Sequence, residues 1–308
     1  MKLCLRHVGR WALFLFLLSL LAFLSLRLMP GTPEQFYLAW KQLPPTEENL
    51  AIVRHQFGLD GPLSWQYISW LKHFVLGDWG TSLITRLDVR REMMRRLPIS
   101  AAIGMGGLLL AGVMGFFLGL GAALRPGGGW DRLSRALSVV TKSVPAFILG
   151  VILLQTLQVR WRLLDPFSHP WQGVVLALLL VALYQSAPLA RIVRRHFEET
   201  KEKTWLKVLL LRGVPLWKAL LCYGYVDALY GLLAAMTSLF TWALGGTAVV
   251  EFLFGLPGLS GFLISSVSSR DYSVIQSYIL FVGIWMCLVH TGFGILLYGL
   301  RKGERYDA

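Results

Sequence analysis

Six apolar stretches, each long enough to cross a lipid bilayer, leave this chain little choice of architecture. A bilayer core of about 30 Å takes roughly 20 apolar residues per helix, and residues 11–29, 99–124, 136–157, 173–193, 223–250 and 277–300 all qualify. Backbone polar groups in hydrocarbon must be satisfied internally, so such stretches read as helices. Of the 308 residues 55% are hydrophobic and only 15% charged, too few charges to solvate a globular surface of this size. The expected fold class is an all-α polytopic membrane protein with six transmembrane helices. Lys2, Arg6 and Arg10 precede the first stretch as in a signal peptide, yet that stretch is long and no small-x-small cleavage site follows before Arg27, so it reads as an uncleaved first helix.

The formal charge of +13 would suggest nucleic acid in a soluble protein. Here the basic residues gather at the ends of the apolar stretches, where lipid headgroups and the orientation rule account for them, and no nucleic-acid partner is expected. Arg125, Arg132, Arg135 and Lys142 follow the second stretch, and a dense basic set from Arg191 to Lys218 separates the fourth from the fifth. These connections are therefore expected in the cytoplasm, and the basic residues at both ends place both termini there too, as an even number of spans requires. Residues 30–98 mix both signs of charge and read as an extracytoplasmic subdomain of short helices, between a first part (1–29) and a core domain (99–308). Cys4, Cys222 and Cys287 are dispersed and odd in number, which excludes a disulfide framework and a zinc site. The six histidines show no ligand spacing, so no metal ligands are assigned.

The connection at 194–222 carries the mechanical argument. Alternating charges lead into Trp205-Leu206-Lys-Val-Leu209-Leu210-Leu-Arg212-Gly213-Val214-Pro215, which reads as a short amphiphilic helix ended by Gly and Pro. Apolar residues exposed beside a charged rim mark a partner interface; a helix lying on lipid is the alternative. In Ser143-Val-Pro145-Ala-Phe147 the proline fits either a kink or a helix start. Residues 250–276, with Glu251, Gly255, Pro257, Gly258, Gly261 and the pair Arg270-Asp271, read as a re-entrant or surface helix between two spans. No G-x-x-x-x-G-K-[ST] occurs, so the chain has no P-loop, and with Asp227 and His290 as the only clear ionisable candidates inside the spans, coupling to an ion gradient is poorly supported.

Residues 250–276 closely resemble the signature V-E-x-x-F-x-x-P-G-L-G-x-L-L…R-D-Y-P-V-I-Q of ABC importer permease subunits in the dipeptide/oligopeptide/nickel family. The same family is suggested by Arg27-Leu-Met-Pro30-Gly31-Thr-Pro33, by Gly58-Leu-Asp60-Gly-Pro62-Leu63 with Gln66-Tyr67 and Trp70-Leu71, and by Gly77-Asp78-Trp-Gly80-Thr-Ser82. Turns and helix starts explain these outer motifs without any substrate contact.

The resemblance implies a type I ABC importer (MetI-like) permease fold in a bacterial cytoplasmic membrane, and a B-type permease forming half of a pore. Its implied partners are a second permease in a heterodimer, two ATPase subunits, an extracytoplasmic solute-binding protein and membrane lipid. ATP and Mg would be bound by the ATPases, with no cofactor and no catalytic residue on this chain. Trp205, Leu206, Leu209, Leu210, Arg212, Gly213, Val214 and Pro215 would form the coupling helix docking on an ATPase. Pro145, Phe147, Glu251, Pro257, Gly258, Arg270 and Asp271 would serve gating or structure. The stretch from Tyr37 to Leu50, followed by Gly58-Leu-Asp60, is similar to the nickel-importer branch, which favours nickel or a metal chelate. Import of dipeptides, oligopeptides or glutathione is the alternative, and a non-transporting membrane scaffold or sensor is an alternative of another class, motivated by departures of the coupling loop from the family's A-R-A-K-G-L.

Overall fold

A computed structural model describes residues 2–28, 31–83 and 85–304, without the side chains of residues 2–8, 33, 241–246 and 301–304. Pro30 of the first outer motif, Met29 and Arg305 lie outside the described residues. The described chain is helical, with a single isolated bridge between Thr81 and Asp88. It folds as two compact units, one of residues 1–97 and 261–288, the other of residues 98–260 and 289–308.

The first unit holds α1 (Lys2–Arg27), three short helices α2 (Pro33–Trp40), α3 (Glu47–Gln56) and α4 (Leu63–Leu76), and most of α5 (Val89–Ala101). Local chemistry sets these elements. The Thr46 hydroxyl accepts the Asn49 N–H (3.3 Å) and caps α3. Leu38, Leu50 and Val53 form the small core beneath α2 and α3, with Tyr37 and Phe57 at its edge. An aromatic ladder runs from Phe23 through Trp70 and Phe74 to Trp79, whose ring stacks on Phe74 at 5.0 Å.

The second unit is built on α9 (Pro170–Lys201), against which α6 (Gly107–Leu124) and α12 (Tyr225–Leu253) pack. A Cβ at Gly115 would lie 2.7 Å from that of Leu189, and one at Gly119 would lie 2.6 Å from the Ala190 carbonyl, so these small residues allow the two backbones to approach. The opposite stripe of α6, Leu109, Val113 and Phe117, is exposed at i, i+4 spacing and suits lipid. The unit also contains α7 (Gly129–Ser143), α8 (Ala146–Leu154), α10 (Thr204–Leu211) and α11 (Leu216–Cys222). The chain passes between units within α5, α13 (Leu259–Ser268) and α14 (Tyr272–Glu304).

Among the described residues four helices are long and apolar enough to cross a membrane, or up to six spans if each of two bent pairs counts as one. The expected span 136–157 is not one straight helix: α7 and α8 meet at 101°. Val144 is extended there, Pro145 starts α8, and the Tyr184 hydroxyl donates to the Val144 carbonyl at 2.6 Å. The proline thus starts a helix rather than kinking a continuous one. The expected second span begins ten residues early, at Val89, because the Asp88 carboxylate accepts the Arg91 N–H (2.7 Å) and caps α5. Pro98, just before the expected start, sits inside the helix, and a π-helical turn Ala102–Gly106 follows it. The charges that hid this start are paired on one face, Glu92 with Arg95 at 2.8 Å and Arg96 at 3.3 Å.

Candidate functional site

The 194–222 connection folds as the continuation of α9, then α10 and α11. Along the last turns of α9, Arg195 pairs with Glu199 (2.9 Å) at i, i+4 spacing. Helix α10 ends in a Schellman turn. The Gly213 N–H donates to the Leu210 carbonyl (3.0 Å) and the Val214 N–H to the Leu209 carbonyl (3.1 Å), with Gly213 at φ +83°. A side chain at Gly213 meets nothing within 4 Å, so a bulky residue there is disfavoured by backbone conformation and not by a clash. Pro215 caps α11.

Of the eight residues assigned to the coupling helix, Leu206 is fully buried and anchors α10; Leu209 and Val214 are half-buried. Trp205, Leu210, Arg212, Gly213 and Pro215 face outward, and Leu211, which the sequence reading passed over, is 88% exposed. Together with Val208 and Trp217 they make an apolar surface edged by Lys207, Arg212 and Lys218. The arm is tied to the rest of its unit by two lysines. Lys203, at the N-cap of α10, pairs with Asp227 in the first turn of α12, and Lys201 donates to the Ala123 carbonyl at the end of α6. Asp227, the ionisable group noted in the fifth span, is thus part of this tie.

At the other end of α12 the chain turns through a second Schellman motif, the Gly255 N–H donating to the Phe252 carbonyl (3.2 Å) and the Leu256 N–H to that of Glu251 (2.9 Å). Phe254 and Leu256 enter the core of the unit with Leu176 and Leu180. The Glu251 carboxylate is completely buried. It accepts the Ser260 backbone N–H (3.0 Å) at the start of α13 and the Ser100 hydroxyl (2.7 Å) from α5. Ser100 in turn accepts the Leu259 N–H at 2.7 Å. A carboxylate facing the first turn of a helix is favoured by the orphan N–H groups and the helix dipole. Gly258 is required by this arrangement, since a Cβ there would fall 2.3 Å from a Glu251 oxygen. Glu251 and Gly258 are therefore brought together, while Pro257 is exposed between them. Pro145 and the half-exposed Phe147 start α8, whose Gly150 lies under Leu253 of α12. Ser100 and Ser260, which complete the cluster, carry no sequence signal beyond standing next to motif residues.

In the first unit Arg270 and Asp271 have separate tasks. Arg270, at φ +53°, ends α13, and its guanidinium lies over the Phe36 ring at 4.0 Å. The buried Asp271 caps α14 and accepts the Ser82 hydroxyl at 2.5 Å. Tyr272 donates to the Leu26 carbonyl at 2.8 Å.

No group of three or more His, Cys, Asp or Glu is placed to hold a metal ion among the described residues. The geometry combines an arm with an exposed apolar surface, a helix of 29 residues and a buried polar cluster at its far end.

The family model "Binding-protein-dependent transport system inner membrane component" matches residues 115–305, and "Binding-prot-dependent transport system membrane comp, N-term" matches residues 1–104. The glutathione transport system permease proteins GsiC of Salmonella typhimurium (strain LT2) and Escherichia coli (strain K12) are each 30% identical over 294 residues, covering 95% of both chains. A solved structure titled as a crystal structure of an amino acid ABC transporter with histidines shares the fold, with a TM-score of 0.51 at 16% identity over 69% of this chain and 94% of that one. Permeases of this kind are transport components, and ATP is hydrolysed by separate ATPase subunits. The chain belongs to the binding-protein-dependent inner-membrane transport components, the permease subunits of ABC importers.

Proposed function

We propose that this permease forms half of the translocation pathway of an importer for short peptides of the glutathione class. The observation that carries this reading is the similarity, over 95% of both chains, to permeases of glutathione transport systems. The nickel reading rests on residues 37–50 followed by Gly58-Leu-Asp60, whereas the two relatives above are named for glutathione. The exposed apolar surface of the α10 arm favours transport over the scaffold reading.

In this mechanism α10 docks on a cytoplasmic ATPase, with both termini on the same side. The second permease, the ATPases and the solute-binding protein complete the machine. When the ATPases close, force on α10 enters the unit through buried Leu206 and reaches α12 through the Lys203–Asp227 pair. At about 1.5 Å per residue, α12 is roughly 43 Å long, enough to carry the displacement across a bilayer core of about 30 Å. Its far end is Glu251, which grips both α13 and α5, so a tilt of α12 moves the re-entrant segment with it. The test is ATP-dependent uptake of radiolabelled glutathione by the reconstituted four-component system, in competition with dipeptides and with nickel. Glutathione uptake that dipeptides compete and nickel does not supports the reading; nickel uptake without glutathione uptake overturns it.

A further inference from the structure

Helix α4, Leu63-Ser-Trp-Gln-Tyr-Ile-Ser-Trp-Leu-Lys-His-Phe-Val-Leu76, carries no acidic residue and has apolar side chains on both faces. One face is spent on the membrane-crossing helices of its own unit. The Tyr67 and Ser19 hydroxyls meet at 2.7 Å, the Tyr67 and Trp70 rings pack on Phe23 of α1, and the Gln66 oxygen accepts Arg27 at 2.7 Å. Just past the end of α4 the Trp79 ring lies 5.5 Å from that of Phe281 in α14. The opposite face is left open by the chain. Trp65 is 64% exposed, Ile68 57%, Val75 76% and Leu76 73%, with Lys72 exposed among them.

The depth of that face follows from α1. Gln66 is level with Arg27 at the end of the apolar span, while its neighbour Tyr67 reaches Ser19, roughly 12 Å further in. Neighbouring residues that meet points so far apart show α4 crossing α1 rather than running beside it. The flank of Gln66, Ser69 and His73 is therefore turned outward, and the Gln66 amide donates to the Leu59 and Gly61 carbonyls of the preceding connection. Side chains two positions apart on a helix point about 200° apart, which turns Ile68 and, with it, Val75 toward the bilayer centre. At that depth α1 exposes Leu21 and Leu24. Lys72 stands between the two flanks, where its stem can lie on apolar surface while the ammonium reaches phosphate. Arg90 adds a cation at the end of α4, on the Gly77 carbonyl (3.4 Å), and Asp78, the first acid past that end, accepts the Gly80 N–H (3.1 Å). We infer that α4 is an interfacial helix, embedded in the leaflet that is extracytoplasmic in the orientation proposed above. Phospholipid covers its open face, with Ile68 and Val75 against acyl chains and Trp65 and Lys72 at the headgroups.

The test attaches a spin label through Ile68→Cys, Val75→Cys, His73→Cys and, as the water-facing reference, Asp60→Cys, each in a Cys4→Ser, Cys222→Ser, Cys287→Ser background. The permease–ATPase complex is placed in nanodiscs of phosphatidylcholine and phosphatidylglycerol. Collisions of each label with oxygen, which concentrates in lipid, are compared with collisions with a water-soluble nickel chelate. Labels at positions 68 and 75 are expected about 5–10 Å below the phosphates, with oxygen-to-chelate ratios several-fold above that at position 60 and with the label at position 73 shallower than both. All four side chains are exposed, so the labels displace no packing, and positions 68 and 75 are independent readings of one face. A ratio at either of them equal to that at position 60 overturns the proposal, because the face then meets water. Shielding of both from both reagents overturns it as well, because a protein partner and not lipid then covers the helix.

Discussion

Glu251 shows how much one side chain can be asked to do. Its carboxylate is completely buried, and its acceptors are filled by a hydroxyl and a helix N-terminus. Replacing Glu251 by Leu leaves the Ser260 N–H and the Ser100 hydroxyl without that acceptor. At roughly 1–3 kcal/mol per orphaned group, the loss is about 3 kcal/mol, read as a lower unfolding midpoint of the detergent-solubilised chain. Glu251→Gln keeps a carbonyl for the Ser260 N–H and is expected to lose about half as much. Equal midpoints for wild type and Glu251→Leu would show that the clamp contributes nothing to stability.

Among the elements, α10 separates anchoring from docking. Leu206 is fully buried, so Leu206→Ala costs about 2–4 kcal/mol of stability. Leu211 is almost wholly exposed, so Leu211→Asp changes stability by no more than about 0.5 kcal/mol. In co-purification the second variant is expected to lose its ATPase while remaining monodisperse; a retained ATPase would remove Leu211 from the docking surface. Helix α7 offers a pH test. The Gly127 N–H first, then Arg194 and Arg135, hold the Asp131 carboxyl below its ordinary 3.8. A depressed folded-state value means that the tie of α7 to α9 is fully present above the ordinary value and is lost as pH falls through the depressed one. The unfolding midpoint is expected to drop as pH is lowered through and below the ordinary carboxylate range, and Asp131→Asn to flatten that dependence. A wild-type profile identical to the variant's would refute the tie.

At the scale of the whole molecule, the proposed cytoplasmic placement of α10 is read directly by labelling from either side of the membrane. Cys222 is exposed at the end of α11 and gives a native reporter. In a Cys4→Ser, Cys287→Ser background, a membrane-impermeant thiol reagent is expected to label Cys222 in inside-out vesicles and not in right-side-out ones. A cysteine placed at Asp60 should label with the opposite polarity. Labelling of Cys222 from the outside would invert the assignment and detach α10 from any cytoplasmic ATPase.

Hydropathy alone determined the class of this protein, because a bilayer forces any long apolar stretch into a helix whatever its neighbours are. Local turn chemistry was legible as well: Gly213 with Pro215, and Gly255 with Pro257, end helices where the sequence says they must, since few residues other than glycine enter the left-handed region at no cost. Helix limits were less legible. The start of α5 lay hidden in charges that pair with one another, and the α7–α8 bend depends on a Tyr184 contact 40 residues away. Only the tertiary structure decided what the polar residues do. Ser100 and Glu251 are 151 positions apart and Ser82 and Asp271 are 189 apart, and nothing in the short-range pattern of either segment announces its partner. A buried carboxylate takes its role from whichever donors the fold brings within about 3 Å, and that choice is made by packing across the chain and not by spacing along it.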